Sequence, residues 1–299
     1  MMGLQFALKT FLLHLLLVLC THRSHGDARE MTISNVLRLP SEEENGVSDK
    51  GMHRSRPVHA NPSTRMDHMD PSLMIFFTLN DLKVGKKLPI FFPMKDSSST
   101  PPLMSRDEAN SIPFSCADLP HLLHFFSFSP GSPQAKAMEH TLRECEIKPI
   151  KGETKICAAS LESMLDFVRE TFGSETQFKV LSTTHLAKSR TLLDNYTILD
   201  EPNEIPVPKM VACHTMPYPY TVFYCHSQET ENKAFVVSLG GDHGGRIEGV
   251  AVCHMDTSQW SPNHASFRVL GIEPGTSPVC HFFRGDNLVY VPINMPIHG

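Results

Sequence analysis

The sequence predicts an α+β protein with a helical middle segment and an antiparallel-rich β C-terminal half, cross-linked by disulfides. Three observations predict it: two capped segments of helical period, alternating apolar segments after residue 173, and eight cysteines in 299 residues. With 40% hydrophobic and 20% charged residues, the chain can fill a core and is not a disordered polyelectrolyte. A formal charge of -5 supplies no basic stripe, so we expect no nucleic-acid partner.

The first residues have the organisation of a secretory signal peptide. A short leading segment, Met1–Lys9, precedes the apolar run Phe11–Cys20, which is too short to span a bilayer. A buried helix is the competing interpretation, but the N-terminal position favours a signal peptide. Small residues favour cleavage after Gly26, with cleavage after Cys20 as the alternative. We therefore predict a signal peptide over 1–26, entry into the secretory pathway and no stable membrane span.

A change of composition near residue 73 predicts the start of the folded domain. Residues 27–72 are polar and mixed in charge and show no sustained period, which indicates a flexible, variable lead segment. The apolar segments 74–77 and 89–92 flank a basic turn and predict two strands. We expect one domain over 73–299.

Two helices are predicted in the middle of the chain. Ser132 and Pro133 supply an N-cap and a first-turn proline for a helix over 133–146. Ser160 begins the second helix, whose apolar positions recur until Gly173 ends it.

Alternating apolar segments after the second helix predict antiparallel strands. These segments are 178–182, 221–224, 234–239 and 266–270. The glycine-rich stretch Gly240–Gly245 predicts a turn between two of the strands.

The cysteine count indicates a disulfide framework. Either signal cleavage leaves seven cysteines, which should largely pair in an oxidising lumen and leave one over. Cys145 and Cys157 lie near the end of one predicted helix and the start of the next, so we expect them to pair, with Cys116 as the odd thiol. The spacing leaves the connectivity open for the other candidates, Cys213, Cys225, Cys253 and Cys280.

Four Cys-His dipeptides are the strongest pattern in the chain. The composition predicts about half of one such dipeptide by chance. The four are separated by 10, 26 and 25 residues. They are Cys213-His214, Cys225-His226, Cys253-His254 and Cys280-His281.

Apolar residues before each dipeptide place it on a predicted strand, where neighbouring side chains face opposite sides. Each cysteine could therefore form a disulfide toward the core while its histidine faces a cleft or solvent. Several imidazoles brought together without thiolates favour Cu(II) or Zn(II).

Three other interpretations of the dipeptides stay open. The cysteines could be plain disulfide staples beside ordinary exposed histidines. All eight groups could bind zinc, although the wide spacing and the oxidising lumen disfavour it. Thiol catalysis lacks a local nucleophile signature.

The spacing of the four dipeptides resembles the defining pattern of the plant BURP domain. Further matches span most of residues 74–297. They include Phe76-Phe77, Ile112-Pro113-Phe114-Ser115, Cys157-Ala158-Ala159-Ser160, Pro217-Tyr218-Pro219-Tyr220 and Cys253-His254-Met255-Asp256-Thr257. The short lead segment resembles the branch of unknown-seed-protein-like and microspore-embryogenesis members.

The resemblance implies a secreted protein of the cell wall or the protein storage vacuole, active in seed or reproductive development or stress. We expect it to be non-enzymatic, with cell-wall components as partners.

Some members of the BURP family are copper-dependent cyclases that modify Tyr or Trp side chains of peptides. The resemblance of this sequence to those members implies copper ligands at His214, His226, His254 and His281, with His264 as a fifth candidate. No Tyr or Trp occurs between residue 27 and Asn195, so the lead segment lacks an in-chain substrate. The alternative function is therefore a copper-dependent oxidase acting in trans on a Tyr/Trp-containing peptide.

One acceptable N-glycosylation sequon is present, Asn195-Tyr196-Thr197. Asn61-Pro62-Ser63 is excluded by its proline. We expect a glycan on Asn195.

Overall fold

Two antiparallel sheets and five helices form the part of the chain that this computed structural model describes, residues 71–93, 101–206 and 209–293. The helices are α1 (Arg106–Asn110), α2 (Leu119–Phe125), α3 (Pro133–Glu146), α4 (Leu161–Phe172) and α5 (Ala265–Leu270). The strands are β1 (Phe76–Thr78), β2 (Lys87–Phe91), β3 (Glu153–Ala158), β4 (Phe178–Leu181), β5 (Thr184–Ala187), β6 (Leu193–Ile198), β7 (Asn203–Ile205), β8 (Val211–Met216), β9 (Val222–Gln228), β10 (Asn232–Gly241), β11 (Arg246–His254), β12 (Val279–Phe282) and β13 (Leu288–Pro292). The fold is mixed α+β, as predicted.

The strands divide into an eight-stranded and a five-stranded sheet. The larger sheet has the order β1-β12-β11-β10-β6-β2, with β5 paired to β11 and β7 paired to β10. The smaller sheet has the order β3-β9-β8-β13-β4. Every strand pair in both sheets is antiparallel.

A buried apolar layer joins the two sheets. Side chains from β8 and β13 of the smaller sheet pack with side chains from β10 and β11 of the larger one. They are Ala212, Val289 and Val291 on one side and Ala234, Val250 and Val252 on the other. Because apolar burial drives this packing, the inner faces of both sheets are held against each other.

The predicted capping residues begin the two longer helices. The Ser132 Oγ accepts a hydrogen bond from the Ala135 N–H, and the Ser160 Oγ accepts one from the Ser163 N–H. Gly173 ends α4 with a φ of 97°, a value that glycine adopts without strain.

The outer face of the smaller sheet is covered by α4. Met164, Phe167 and Val168 of this helix pack against Val211 of β8 and Tyr290 of β13. The helix thus closes the side of the sheet that faces away from the larger sheet.

The strand predicted over 266–270 is wrong, because these residues form α5. The short apolar alternation fits either structure, and two local features favour the helix. The His264 Nδ1 accepts a hydrogen bond from the Ser266 N–H at the start of the helix. Gly271 ends it in the left-handed region with a φ of 67°.

The predicted signal peptide lies outside the described residues, as does most of the predicted lead segment. The boundaries 1–26, 27–72 and 73–299 therefore stay predictions. Within the described ranges, no helix has the length and apolar character needed to cross a membrane.

Candidate metal centre

Each Cys-His dipeptide places its two side chains on opposite faces of one strand. The dipeptides lie on β8, β9, β11 and β12. Cys213 and Cys225 belong to the buried cluster under α4, on the outer face of the smaller sheet. His226 is the register partner of Ala212, which lies in the layer between the sheets. The histidines therefore face the interior between the two sheets rather than the solvent or open cleft expected from sequence.

Two disulfides connect neighbouring strands directly. Cys213–Cys225 joins register partners on β8 and β9, with Cα atoms 4.0 Å apart. Cys253–Cys280 joins register partners on β11 and β12, with Cα atoms 3.9 Å apart. Because register sets the face of every side chain, each bridge also fixes the histidines that follow its cysteines.

A third disulfide, Cys145–Cys157, connects the last turn of α3 to β3. Cys116 is the free cysteine of the described part of the chain. The structure thus contains disulfides at all six predicted positions.

The four dipeptide histidines lie together between the two sheets, and we call them the histidine cluster. The members are His214, His226, His254 and His281. Their ring centroids form a closed circuit with separations of 5.5 Å (214–226), 6.4 Å (226–254), 5.5 Å (254–281) and 5.6 Å (281–214). The smaller sheet contributes two imidazoles and the larger sheet contributes the other two.

Polar oxygens lie close to the Nδ1 atoms of two imidazoles, although only the His254 Nδ1 makes a hydrogen bond there. The His226 Nδ1 lies 3.2 Å from the Glu153 Oε1, and this carboxylate has only 9% of its side chain exposed. The His254 Nδ1 lies 2.7 Å from the Asn232 Oδ1 and 3.0 Å from the Gln228 Oε1. Such contacts orient an imidazole so that its Nε2 is available, as in many metal sites.

The other two imidazoles have different surroundings. The His214 Nδ1 lies 3.3 Å from the Asn287 Nδ2. The His281 Nε2 lies 3.4 Å from the His254 Nε2. Phe283 stacks on both rings, with centroids 4.8 Å from His214 and 4.9 Å from His281.

The cluster is enclosed by aromatic side chains. His254 is 5% exposed and His281 is 8% exposed. The Trp260 ring lies 4.9 Å from His254, and Phe76 lies 6.0 Å from His281. Water is therefore largely excluded from two of the four imidazoles.

This enclosure favours neutral imidazoles. Burial lowers the pKa of His214 and of His254 well below its ordinary value, and neighbouring imidazoles lower it further. Burial also lowers the pKa of His281 to about 3. Neutral imidazoles are the form that binds metal ions.

Glu153 remains a carboxylate within this environment. Its burial raises the pKa, but the His226 contact and the hydrogen bond from the Ile150 N–H outweigh burial and leave the pKa below its ordinary value. A negative charge therefore lies beside His226.

His264, the fifth candidate ligand, lies outside the cluster. It is exposed, its Nδ1 accepts the Ser266 N–H, and its ring lies 4.6 Å from Trp260. His264 caps α5, and, besides burial, it also lowers the pKa of His254 and of His281. Its role as a fifth ligand stays a prediction.

The donor set fits a transition-metal ion, although the rings are not in a ligating arrangement. Within the described ranges, no three His, Cys, Asp or Glu side chains have the spacing that would hold one ion. The 3.4 Å between the Nε2 atoms of His254 and His281 does have that spacing. Two nitrogens about 2.0–2.1 Å from one tetrahedral ion are about 3.3 Å apart. Imidazoles suit Cu(II) and Zn(II), so these two ions stay the predicted candidates.

Four residues around the cluster were missed by sequence reasoning: Glu153, Gln228, Asn232 and Asn287. Gln228 follows His226 by two positions on β9, so alternation could have placed both on one face. Asn232 is the register partner of His254. The alternation of side chains along one strand does not predict which residues of another strand pair with it.

A small surface cleft of about 10 Å³, enough for about one water molecule, lies beside two residues that contact His254. Its lining includes Lys151, Gln228, Asp256, Gln259 and Trp260. Gln228 and Trp260 both contact His254, so they separate the cleft from the imidazoles.

We expect the stability of the metal-free protein to fall as the pH decreases below about 6.5. The unfolded chain takes up protons at these histidines near that pH, whereas burial keeps them neutral in the fold, so acid favours unfolding. The contribution of His281 alone should lower the free energy of unfolding by about 2 kcal/mol between about pH 6.5 and pH 5. Urea unfolding of chelator-treated protein across this range measures the loss.

His281→Gln should reduce this pH dependence, and His140→Gln, at an exposed position on α3, should leave it unchanged. Equal stability at both pH values would contradict the neutral state of the cluster.

Comparison with known proteins identifies the domain. The BURP domain model matches residues 75–292. The chain is 48% identical over 227 residues to BURP domain-containing protein BNM2A of Brassica napus, covering 74% of this chain and 80% of that protein. It is 47% identical over 227 residues to BURP domain protein USPL1 of Arabidopsis thaliana, covering 74% and 81%, and 36% identical over 254 residues to BURP domain protein RD22 of the same species, covering 80% and 64%. The resemblance drawn from the Cys-His spacing is confirmed, and the chain belongs to the BURP domain family.

Proposed function

We propose that this protein is secreted and acts non-enzymatically in the cell wall or the protein storage vacuole, in seed or reproductive development or stress. Its histidine cluster would hold a transition-metal ion inside a rigid scaffold. The enclosure of the cluster carries this proposal, since His254 and His281 are only 5% and 8% exposed. A peptide side chain would have to displace Trp260 to reach His254.

The three disulfides support the secretory part of the proposal. Structural disulfides persist in oxidising compartments and are rare where glutathione keeps thiols reduced. Asn195 supports it as well, because this sequon residue is exposed on β6 although its neighbours Asp194 and Tyr196 are buried. A glycan could leave this strand without disturbing the core.

Secretion from plant cells should yield a chain that begins at Asp27 and carries one N-glycan. Asn195→Gln should remove the mass shift that a glycosidase produces, because it removes the sequon acceptor. Asn61→Gln is the matched control, since Pro62 already blocks that site, and it should change nothing. N-terminal sequencing and intact mass measure both features, and a secreted chain that starts at Met1 without a glycan would contradict the proposal.

A second candidate function is copper-dependent oxidation of Tyr/Trp-containing peptides supplied in trans. The observation that favours it is the small surface cleft lined in part by Gln228 and Trp260, since both of these residues contact His254. Copper supplies one-electron and dioxygen chemistry when bound. The cluster would hold the ion with His214, His226, His254 and His281, while Gln228 and Glu153 orient imidazoles.

Copper titration with a peptide assay separates the two functions. The protein should bind about one Cu(II) ion, and replacing all four cluster histidines by Ala should abolish binding, whereas His140→Ala, at an exposed position, should not. Tight copper without a modified peptide supports the non-enzymatic function. A peptide lighter by about two mass units, from loss of two hydrogens, supports the oxidase. Copper binding that survives the fourfold replacement would exclude the cluster as the site.

A further inference from the structure

The larger sheet curls until its two edge strands, β1 and β2, meet each other. These strands lie at opposite ends of the strand order. The Phe91 N–H of β2 nevertheless donates to the Met74 carbonyl oxygen just before β1, at 2.8 Å. Phe77 of β1 and Ile90 of β2 belong to one buried cluster, where they are 3% and 2% exposed. We call the line along which the two edges meet the seam.

The seam opens after this single backbone bond. The Ile75 carbonyl oxygen accepts from the Phe282 N–H of β12, so the next residue, Phe76, turns its N–H toward the seam. On β2, the Phe91 N–H already points to the seam, and Pro89, two positions earlier, turns its carbonyl oxygen the same way. A bond between the Phe76 N–H and this oxygen would continue the seam, but β1 and β2 do not pair. Pro89 has no N–H with which to return such a bond, so the two edges separate here.

An apolar pocket of about 160 Å³ lies where the seam opens. Its lining contains partly exposed apolar side chains from both edge strands and from the end of α5, among them Leu88, Val269 and Leu270. The buried Phe77 and Ile90 line it as well, so the pocket reaches the core of the larger sheet. Ligand pockets are common at the mouths of curled sheets of this kind.

The pocket has the size of one aromatic ring. An engineered cavity of about 150 Å³ with apolar walls binds benzene. The rings of Phe76 and Phe77 and the thioether of Met74 line the pocket. These groups offer the edge, face and sulfur contacts that an aromatic ring favours.

The pocket presents no unpaired charge to an occupant. Among the described residues that line it, only Asp81 is ionisable. The Asp81 carboxylate lies 2.9 Å from the Lys86 Nζ, and it accepts hydrogen bonds from the Thr78 N–H at 3.0 Å and the Thr78 hydroxyl at 2.7 Å. Its charge is therefore balanced from within the protein. An uncharged occupant complements this surface, whereas an ionised one would lose its hydration without gaining a partner.

We propose that the seam pocket binds a small uncharged phenol, with the ring among the apolar side chains and the hydroxyl at the Phe76 N–H and the Pro89 carbonyl oxygen. A hydroxyl accepts one hydrogen bond and donates another, so it can supply the partner that each of these groups lacks across the seam. None of the lining residues belongs to the histidine cluster, so this binding is independent of the proposed metal function.

NMR titration with para-cresol, a phenol of one ring, tests the proposal. In methyl-labelled protein, para-cresol should shift the methyl signals of Ile75, Leu88 and Val269 and give intermolecular nuclear Overhauser effects to them. Toluene, the same ring without the hydroxyl, should bind about tenfold more weakly, because it leaves the two backbone groups unpaired. Para-hydroxybenzoate should also bind at least about tenfold more weakly than para-cresol, because its carboxylate would be desolvated.

A pair of variants on α5 locates the binding. Val269→Trp places a large side chain in the pocket and should abolish the binding of para-cresol. Arg268→Trp is the matched control, since it adds the same side chain at the neighbouring exposed position, and it should leave the affinity unchanged.

Two results with the unaltered protein would overturn the proposal even if Val269→Trp failed to fold. Methyl signals of Ile75, Leu88 and Val269 that para-cresol leaves unchanged would exclude the pocket as its site. Toluene that binds as tightly as para-cresol would exclude the role of the hydroxyl, and with it the assignment to phenols.

Discussion

The disulfides between register partners on neighbouring strands are the constraint on which the interior depends. A slip of one residue in an antiparallel pair would turn every side chain to the other face. Cys213–Cys225 and Cys253–Cys280 prevent such a slip at the positions that precede the histidines. Closing loops of this size contributes about 3 kcal/mol each by restricting the unfolded chain. The same bonds thus stabilise the sheets and fix where the imidazoles lie.

The alternation of side chains along a strand made one feature of the candidate site predictable. It correctly separates each cysteine from the histidine that follows, because successive side chains on a strand face opposite sides. It does not say which strands pair or that the sheets stack on a shared apolar layer. The histidines were therefore expected in a cleft or solvent, whereas they lie between the sheets. His226 and His254, for example, are far apart in sequence and belong to different sheets, so their ring contact arises only when the sheets pack together.

Local pattern reasoning failed where two structures fit the same residues. The segment Ser266–Leu270 alternates like a strand, but His264 caps it and Gly271 ends it, so a helix forms. His264, a fifth candidate ligand implied by the resemblance, caps this helix through its Nδ1, and its ligand role stays a prediction. The residues that orient the cluster were missed for a related reason: Glu153, Asn232 and Asn287 belong to different segments that fold together. No sequence window contains both an imidazole and its partner in these three contacts.

The enclosure of the cluster makes hydrogen-bond polarity more decisive than it would be in water. A buried polar atom needs a partner, and the low dielectric strengthens each contact that it makes. An amide faces His214 and a carboxylate faces His226, so two rings only 5.5 Å apart have different polar neighbours. Four histidines that look equivalent in the repeated Cys-His motif are not equivalent in the fold. Their surroundings depend on the neighbours that the two sheets place around them, and the motif alone does not specify these neighbours.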